Sequence, residues 1–393
     1  LAGLVIHRPR LLLGHAFERA PAAERSLDQH LKLMRGALAA CGSHAERLAA
    51  LRLYQQAETL RIGLRDLSHQ LTLRGALRAL SDLAEASVRG ALQAAWESAA
   101  PGGAPPPRDF CVLGLGRLGY REMDYGSDLD LVFVYRAAAD DAAAHVQAGD
   151  LAARMVDALA SITREGPLYA VDTRLRPFGS EGELAQSGET LLRYLETQAG
   201  VWEMQSYLKA RPVAGDLRFG GRLLRRAERM LLDRARREPL AAAIRSMRER
   251  LREAAPAGAS DFRSGAGGVN TVQFTLQYLQ LRHHVPSPSR KSTSRLLRTL
   301  RDHGLLDDDR HRALFRGHQF LRRLEHQIRL IQGRAVTCVP ASADVLLEVA
   351  RALGYPQDDP REATSALIED LDARRGEVER AYLHLVPESD AGS

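Results

Sequence analysis

The sequence contains no run of about 18 apolar residues, so no membrane-spanning helix is expected. Aromatic residues make up 5% of it, too few to supply rows of stacking platforms for single-stranded nucleic acid. Lysine is nearly absent: Lys32, Lys209 and Lys291 are the whole complement, and arginine carries almost all the positive charge. Those arginines are scattered among acids along helical stretches. The net charge of +6 therefore reads as an Ala- and Arg-rich composition and not as a nucleic-acid footprint. Three cysteines, Cys41, Cys111 and Cys338, lie far apart and in no metal-ligand spacing. That pattern argues against a disulfide framework and fits a reducing cytoplasm. A signal-peptide layout is missing from Leu1–Arg10, and Leu1 in place of Met predicts a longer natural chain.

What is present is mostly helix. At 393 residues the chain has room for two or three domains of roughly 100–200 residues each. Residues 1–100 read as a helical region, with Leu48, Leu51, Ala57, Leu60, Ile62 and Leu64 at helical spacing. The run Pro101-Gly-Gly-Ala-Pro-Pro-Pro107 ends that pattern and forms a stiff linker over 101–107. Phe110–Leu115 and Leu129–Tyr135 then read as strands, Ala142–Thr163 as a helix and Leu168–Leu175 as a third strand. This small mixed sheet belongs to a domain over 108–255, in which helix dominates again from Ser187 with a break near Pro212–Asp216. Residues 256–393 read as a C-terminal helical bundle. The expected fold class is α+β, mostly helical.

The informative segment runs Gly114-Leu-Gly116-Arg117-Leu-Gly119 to Ser127-Asp128-Leu-Asp130 and into Leu-Val-Phe-Val-Tyr135. Residues two apart in a strand project from the same face, so Asp128 and Asp130 place two carboxylates side by side. Their repulsion is resolved by hard divalent cations, and the expected arrangement is two Mg²⁺ ions roughly 3.5–4 Å apart clamping a phosphoryl displacement. The glycines suit a backbone that must approach a triphosphate closely. Their GxGxxG spacing lacks the long helix of a dinucleotide fold and the Lys-Ser/Thr end of a P-loop. Asp172, on the third strand, completes the carboxylate set. Arg174 and Arg176 follow at spacing two, where guanidinium groups would meet triphosphate oxygens or neutralise the acids.

With those residues in view, a family resemblance becomes concrete. The run Cys111–Tyr135, the stretch Val171-Asp-Thr-Arg-Leu-Arg-Pro-Phe-Gly179, and Trp202-Glu203 with Lys209-Ala-Arg211 resemble the glutamine synthetase adenylyltransferase family. Ala57–Asp66 and Leu321–Leu330 are similar as well. The resemblance implies a polymerase-β-like nucleotidyltransferase core and one module of a tandem pair. One module type transfers AMP from ATP to a tyrosine of glutamine synthetase; the other removes it by phosphorolysis, with PII proteins and glutamine setting the balance. It also implies that Asp128, Asp130 and Asp172 hold the metals, with Asp172 the base. Gly116, Arg117 and Ser127 would line the triphosphate, together with Gly114, Gly119, Arg174 and Arg176. Trp202, Glu203, Lys209 and Arg211 would support the site.

The resemblance is incomplete after Gly267-Gly268. The family's two acids there are replaced by Thr271 and Gln273, and Arg263 stands where lysine is usual. Gln273 binds a hard cation poorly. The chain is expected to be an active, transferring module, with the removing module and a non-catalytic module binding glutamine synthetase or PII as alternatives. Trp202 is expected in core packing, His283-His284 at a solvated helix end, and Cys111 buried without nucleophilic partners.

Overall fold

The computed structural model describes residues 24–100, 109–137, 141–255, 260–356 and 358–388. The Pro/Gly linker expected over 101–107 lies outside them. They form two compact units, one built from residues up to Ala199 with Ser206–Glu228, the other from Gly200–Gln205 with Arg229 onward. Among the described residues no helix is long and apolar enough to cross a membrane.

The first unit begins with three helices, α1 (Leu27–Ala39), α2 (His44–Leu67) and α3 (Leu73–Ala99). Ser26 with Gln29 and Ser43 with Glu46 close capping boxes at the first two, and the Thr72 side chain caps the third. The Ala-rich α3 is buried along most of its length and packs against α1, α2 and the sheet domain.

The sheet domain follows with β1 (Phe110–Gly114), α4 (Gly116–Tyr120), β2 (Leu129–Tyr135), α5 (Ala142–Ala160), β3 (Val171–Asp172), β4 (Ala185–Ser187), α6 (Gly188–Thr197), α7 (Val201–Lys209), β5 (Arg211–Gly215) and α8 (Leu217–Arg234). The strands lie in the order β3-β2-β1-β5, with β4 also pairing β2. β1 runs antiparallel to both β2 and β5, whereas β3 and β4 run parallel to β2. β2 is buried everywhere except at Asp130, as its unbroken apolar run requires.

Two expectations need correction. The third strand forms only at Val171–Asp172, because Arg176 N turns back onto Thr173 O and Pro177 offers no ladder donor. The helix expected over Ala142–Thr163 stops at Ala160, where Ser161 turns extended and the buried Arg52 takes the carbonyls of Ala158 and Ser161 at 3.1 and 2.9 Å. Two further strands were not foreseen: β4 lies just ahead of the helical stretch read from Ser187, and β5 fills the break near Pro212–Asp216. β5 carries Pro212 at a register shift against β1, where a missing N–H is tolerated.

The second unit is helical. It contains α9 (Leu240–Glu253), α10 (Val269–Arg282), α11 (Thr293–Asp302), α12 (Asp308–Gln332), α13 (Ala343–Leu353) and α14 (Pro360–Leu385). Phe262, Leu321, Leu324, Ile328, Val349, Leu367 and Leu371 are among the residues of its core.

Candidate active site

β1 and β2 meet at the site end of the sheet, where Gly114 pairs with Leu131. The chain then turns sharply: Leu115 N donates to Asp130 O at 2.9 Å, and Gly116 adopts a φ of 51°. A β-carbon on Gly116 would lie 2.0 Å from Asp130 Oδ2, so the backbone passes against that carboxylate with no room for a side chain. On the other edge of β2, the short parallel ladder places Asp130 opposite Asp172. Asp128, Asp130 and Asp172 offer one carboxylate oxygen each within 4.8 Å of one another. Asp128 is exposed and the other two are half-buried.

Three carboxylates this close repel unless positive charge joins them, and hard oxygen donors suit Mg²⁺ or a similar ion. The chain itself supplies one cation. Arg174 contacts both oxygens of Asp172, through Nε at 3.1 and 3.0 Å and through its terminal nitrogen at 2.6 Å. This contact holds the Asp172 carboxyl below the usual carboxylate range. The Arg174 side chain is 79% exposed, so its guanidinium can leave for another anion. A divalent cation therefore fits the donor set.

The other expected site residues divide by what they touch. Ser127 is buried, its Oγ accepting from Asp124 N at 3.1 Å, so it fixes the turn just before Asp128. Gly119 passes close to the Lys209 carbonyl, and Gly114 lies between the Leu118 and Val213 side chains; both serve packing here. Arg117 is half-buried on α4. Arg176 does not share Asp172's face, because the strand has already ended. It donates instead to carbonyls of Thr173, Ser180 and Gly182 at 2.9–3.0 Å. Lys209 Nζ sits 5.6 Å from the Tyr120 ring centre. Trp202 is 39% exposed and not packed in a core. The buried Glu203 accepts from Gly200 N at 2.8 Å at the start of its own helix. Both belong to the second unit.

Arg211 opens onto a group that no motif announces. It pairs with Glu85 at 2.6 Å and donates to Leu118 O at 3.3 Å. Glu85, 2% exposed on α3, also receives Arg89 at 2.6 Å and Arg121 at 3.1 Å. Arg121 reaches Asp82 as well, at 2.7 Å. The segment following α4 is further tied to the N-terminal helices by Met123 N to Ser81 Oγ and Tyr125 Oη to Asp66. Asp82 and Glu85 sit in an Ala-rich helix where acids three apart read as a solvated face, so the sequence carries no signal for them. Cys111 is fully buried, and its thiol is pushed up to about 12 by burial and then by the Asp216 charge, which leaves it inert.

In the second unit, Thr271 is 1% exposed and accepts from Arg248 Nε at 3.4 Å. The charge of Arg248 is met instead by Glu379, which also accepts from Gly267 N at 2.7 Å. An acid at 271 is thus not needed to balance this arginine.

Comparison with known proteins bears on the whole of the first unit. The family model described as glutamate-ammonia ligase adenylyltransferase matches residues 1–226. The chain belongs to this family. A second family model, GlnD PII-uridylyltransferase, matches residues 223–386. Relatives named bifunctional glutamine synthetase adenylyltransferase/adenylyl-removing enzyme include one from Chromobacterium violaceum, 35% identical over 75% of this chain and 33% of its own length. Another from Streptomyces coelicolor is 35% identical over 76% of this chain and 31% of its own. A third, from Thioalkalivibrio sulfidiphilus, is 32% identical over 90% and 38%. This adenylyltransferase-family chain spans about a third of the length of the curated relatives it matches.

Proposed function

We propose that this chain is the transferring module of a tandem enzyme, moving AMP from ATP to a tyrosine hydroxyl of glutamine synthetase. The observation that carries the reading is the convergence of Asp128, Asp130 and Asp172 within 4.8 Å beside the side-chain-free turn at Gly116. A divalent cation, Mg²⁺ in the first instance, held by these three residues would neutralise charge on the transferring phosphoryl group. The turn at Gly116 and Arg117 admits the triphosphate, and Arg174 swings from Asp172 to its oxygens. Asp172, relieved of the guanidinium, takes the tyrosine proton on the carboxylate oxygen turned away from the cation. The tyrosine oxygen bonds to the α-phosphorus as the bond to pyrophosphate breaks.

The relatives' names pair transfer with removal, and the Arg176–Gly179 and Lys209–Arg211 wording resembles the removing half. A second reading is therefore phosphorolysis at the same carboxylates: phosphate attacks the tyrosyl-AMP phosphorus, the bond to the tyrosine oxygen breaks, and ADP and the free tyrosine hydroxyl are the products. PII proteins are the proposed regulators, and a second module is proposed in the rest of the full-length protein. Labelled ATP with Mg²⁺ and glutamine synthetase separates the readings. Label on the synthetase supports transfer, and ADP formed from adenylylated synthetase only with phosphate supports removal. Neither product, with Asp128→Asn indistinguishable from the unaltered chain, would sink both.

A further inference from the structure

The loop over 173–182 leaves β3 directly after Asp172 and is built rigid. Arg176 stitches it from inside, reaching Thr173 O at 3.0 Å, Thr173 Oγ1 at 2.8 Å, Ser180 O at 2.9 Å and Gly182 O at 2.9 Å. Tyr207 Oη tethers it from α7 through Leu175 O at 2.9 Å. The Gly182 backbone crosses so close to Pro177 that a β-carbon would lie 1.9 Å from the proline carbonyl oxygen.

On this loop Phe178 has a φ of 65° and is 49% exposed. Its ring makes an edge contact with Tyr194 at 5.0 Å between centres. A bulky L-residue in the left-handed region is strained, and glycine would hold the same turn without strain. Burial does not explain the phenylalanine, because half of it faces water. A pre-organised exposed aromatic on the loop that follows a reactive carboxylate is the arrangement of an interface anchor.

The sheet order decides what docks there. The glycine turn leaves β1 and this loop leaves β3, and the two strands flank β2 on opposite edges. With the triphosphate on the β1 side and met from the β3 side only by Arg174, the rest of the loop is left to the acceptor. We propose that loop 173–182 is the docking platform for the acceptor polypeptide around its modified tyrosine, with Phe178 as the apolar anchor; this rests on the transfer reading above.

The test compares Phe178→Gly and Phe178→Trp with the unaltered chain. It reads the denaturation midpoint, MgATP affinity by calorimetry, and KM for glutamine synthetase with labelled ATP. Phe178→Gly is expected to keep or raise the midpoint and to leave MgATP affinity within about twofold. It is expected to raise the acceptor KM about tenfold, as loss of an interface aromatic does. Phe178→Trp keeps the acceptor KM near that of the unaltered chain. An unchanged acceptor KM in Phe178→Gly overturns the proposal. So does a matching loss of MgATP affinity, which would put adenine on the ring. If the unaltered chain labels no acceptor, the transfer reading fails by itself, and direct binding of glutamine synthetase without ATP decides the loop's role. Weaker binding by Phe178→Gly supports the platform; equal binding, or none by either chain, overturns it.

Discussion

A β-carbon added at Gly116 would meet Asp130 Oδ2 at 2.0 Å on a backbone whose φ of 51° already disfavours L side chains. The Gly116→Ala change therefore pushes a metal-holding carboxylate out of place, and displacements of this size cost on the order of 10²-fold in rate. Its cost to stability is smaller, about 1–2 kcal/mol for an alanine in the left-handed region. The expected outcome is a MgATP-dependent activity down about 100-fold with a modest shift in denaturation midpoint. Activity within a few-fold of the unaltered chain would refute the close approach. The opposite edge of the site tests the mobile cation. Arg174→Lys keeps a charge near Asp172 but loses the two-pronged contact. It is expected to raise the KM for ATP with little change in folding, because the side chain it replaces stands mostly in water. A KM unaltered in Arg174→Lys and Arg174→Ala alike would remove Arg174 from triphosphate binding.

Elements are held to the site by charge buried between them. Glu85 on α3 gathers Arg89, Arg121 and Arg211, and so fixes α4 and β5 against the N-terminal helices. Breaking a buried pair on one side leaves uncompensated charge and costs roughly 3–5 kcal/mol. Glu85→Gln is expected to lose about that much, measured as urea unfolding, far more than the exposed Glu189→Gln. Between α1 and α2, burial and then the charges of Arg61 and Arg25 lower His30 to about 4. The Glu58 carboxylate 4.0 Å away does not rescue the imidazolium, because it already pairs with Arg25 and Arg61. The fold accepts the neutral ring, so its contribution is complete above pH 6.5 and is lost as pH falls toward 4. That gap is worth about 3 kcal/mol, and unfolding midpoints between pH 7.5 and 4.5 should flatten in His30→Gln. Periodicity made β1, β2 and the N-terminal helices legible, because each buries a simple apolar face. Asp128 and Asp130 were legible because spacing two at the head of a strand has one geometric meaning, and Asp172 because it lies on a neighbouring strand-like run. Arg176 was not, since the strand ends before it reaches that position. Glu85 was not either, for its partners Arg121 and Arg211 are brought to it by the fold and not by proximity in sequence.

For the whole chain, the count of +6 overstates the cation available to a polyanion. Arg52 is fully buried on backbone carbonyls, Arg211 lies on Glu85, and Arg322 and Arg329 lie on the fully buried Glu325. Arg248 meets Glu379, and Arg61 meets Glu58. Burial turns these arginines into internal struts, which composition alone does not reveal. Some surface arginines are paired with acids, as Arg310 with Asp307 and Arg312 with Asp309 show. Nucleic-acid affinity by phosphate neutralisation requires many unpaired cations and falls steeply with salt. The expected result is no measurable retention of a labelled RNA or DNA near 150 mM salt by anisotropy, and only shallow salt dependence of any binding below it. A steep logarithmic salt slope equivalent to about six or more phosphate contacts would show that the arginines form a continuous basic surface after all. It would also reopen a polynucleotide as the acceptor for the three-aspartate site.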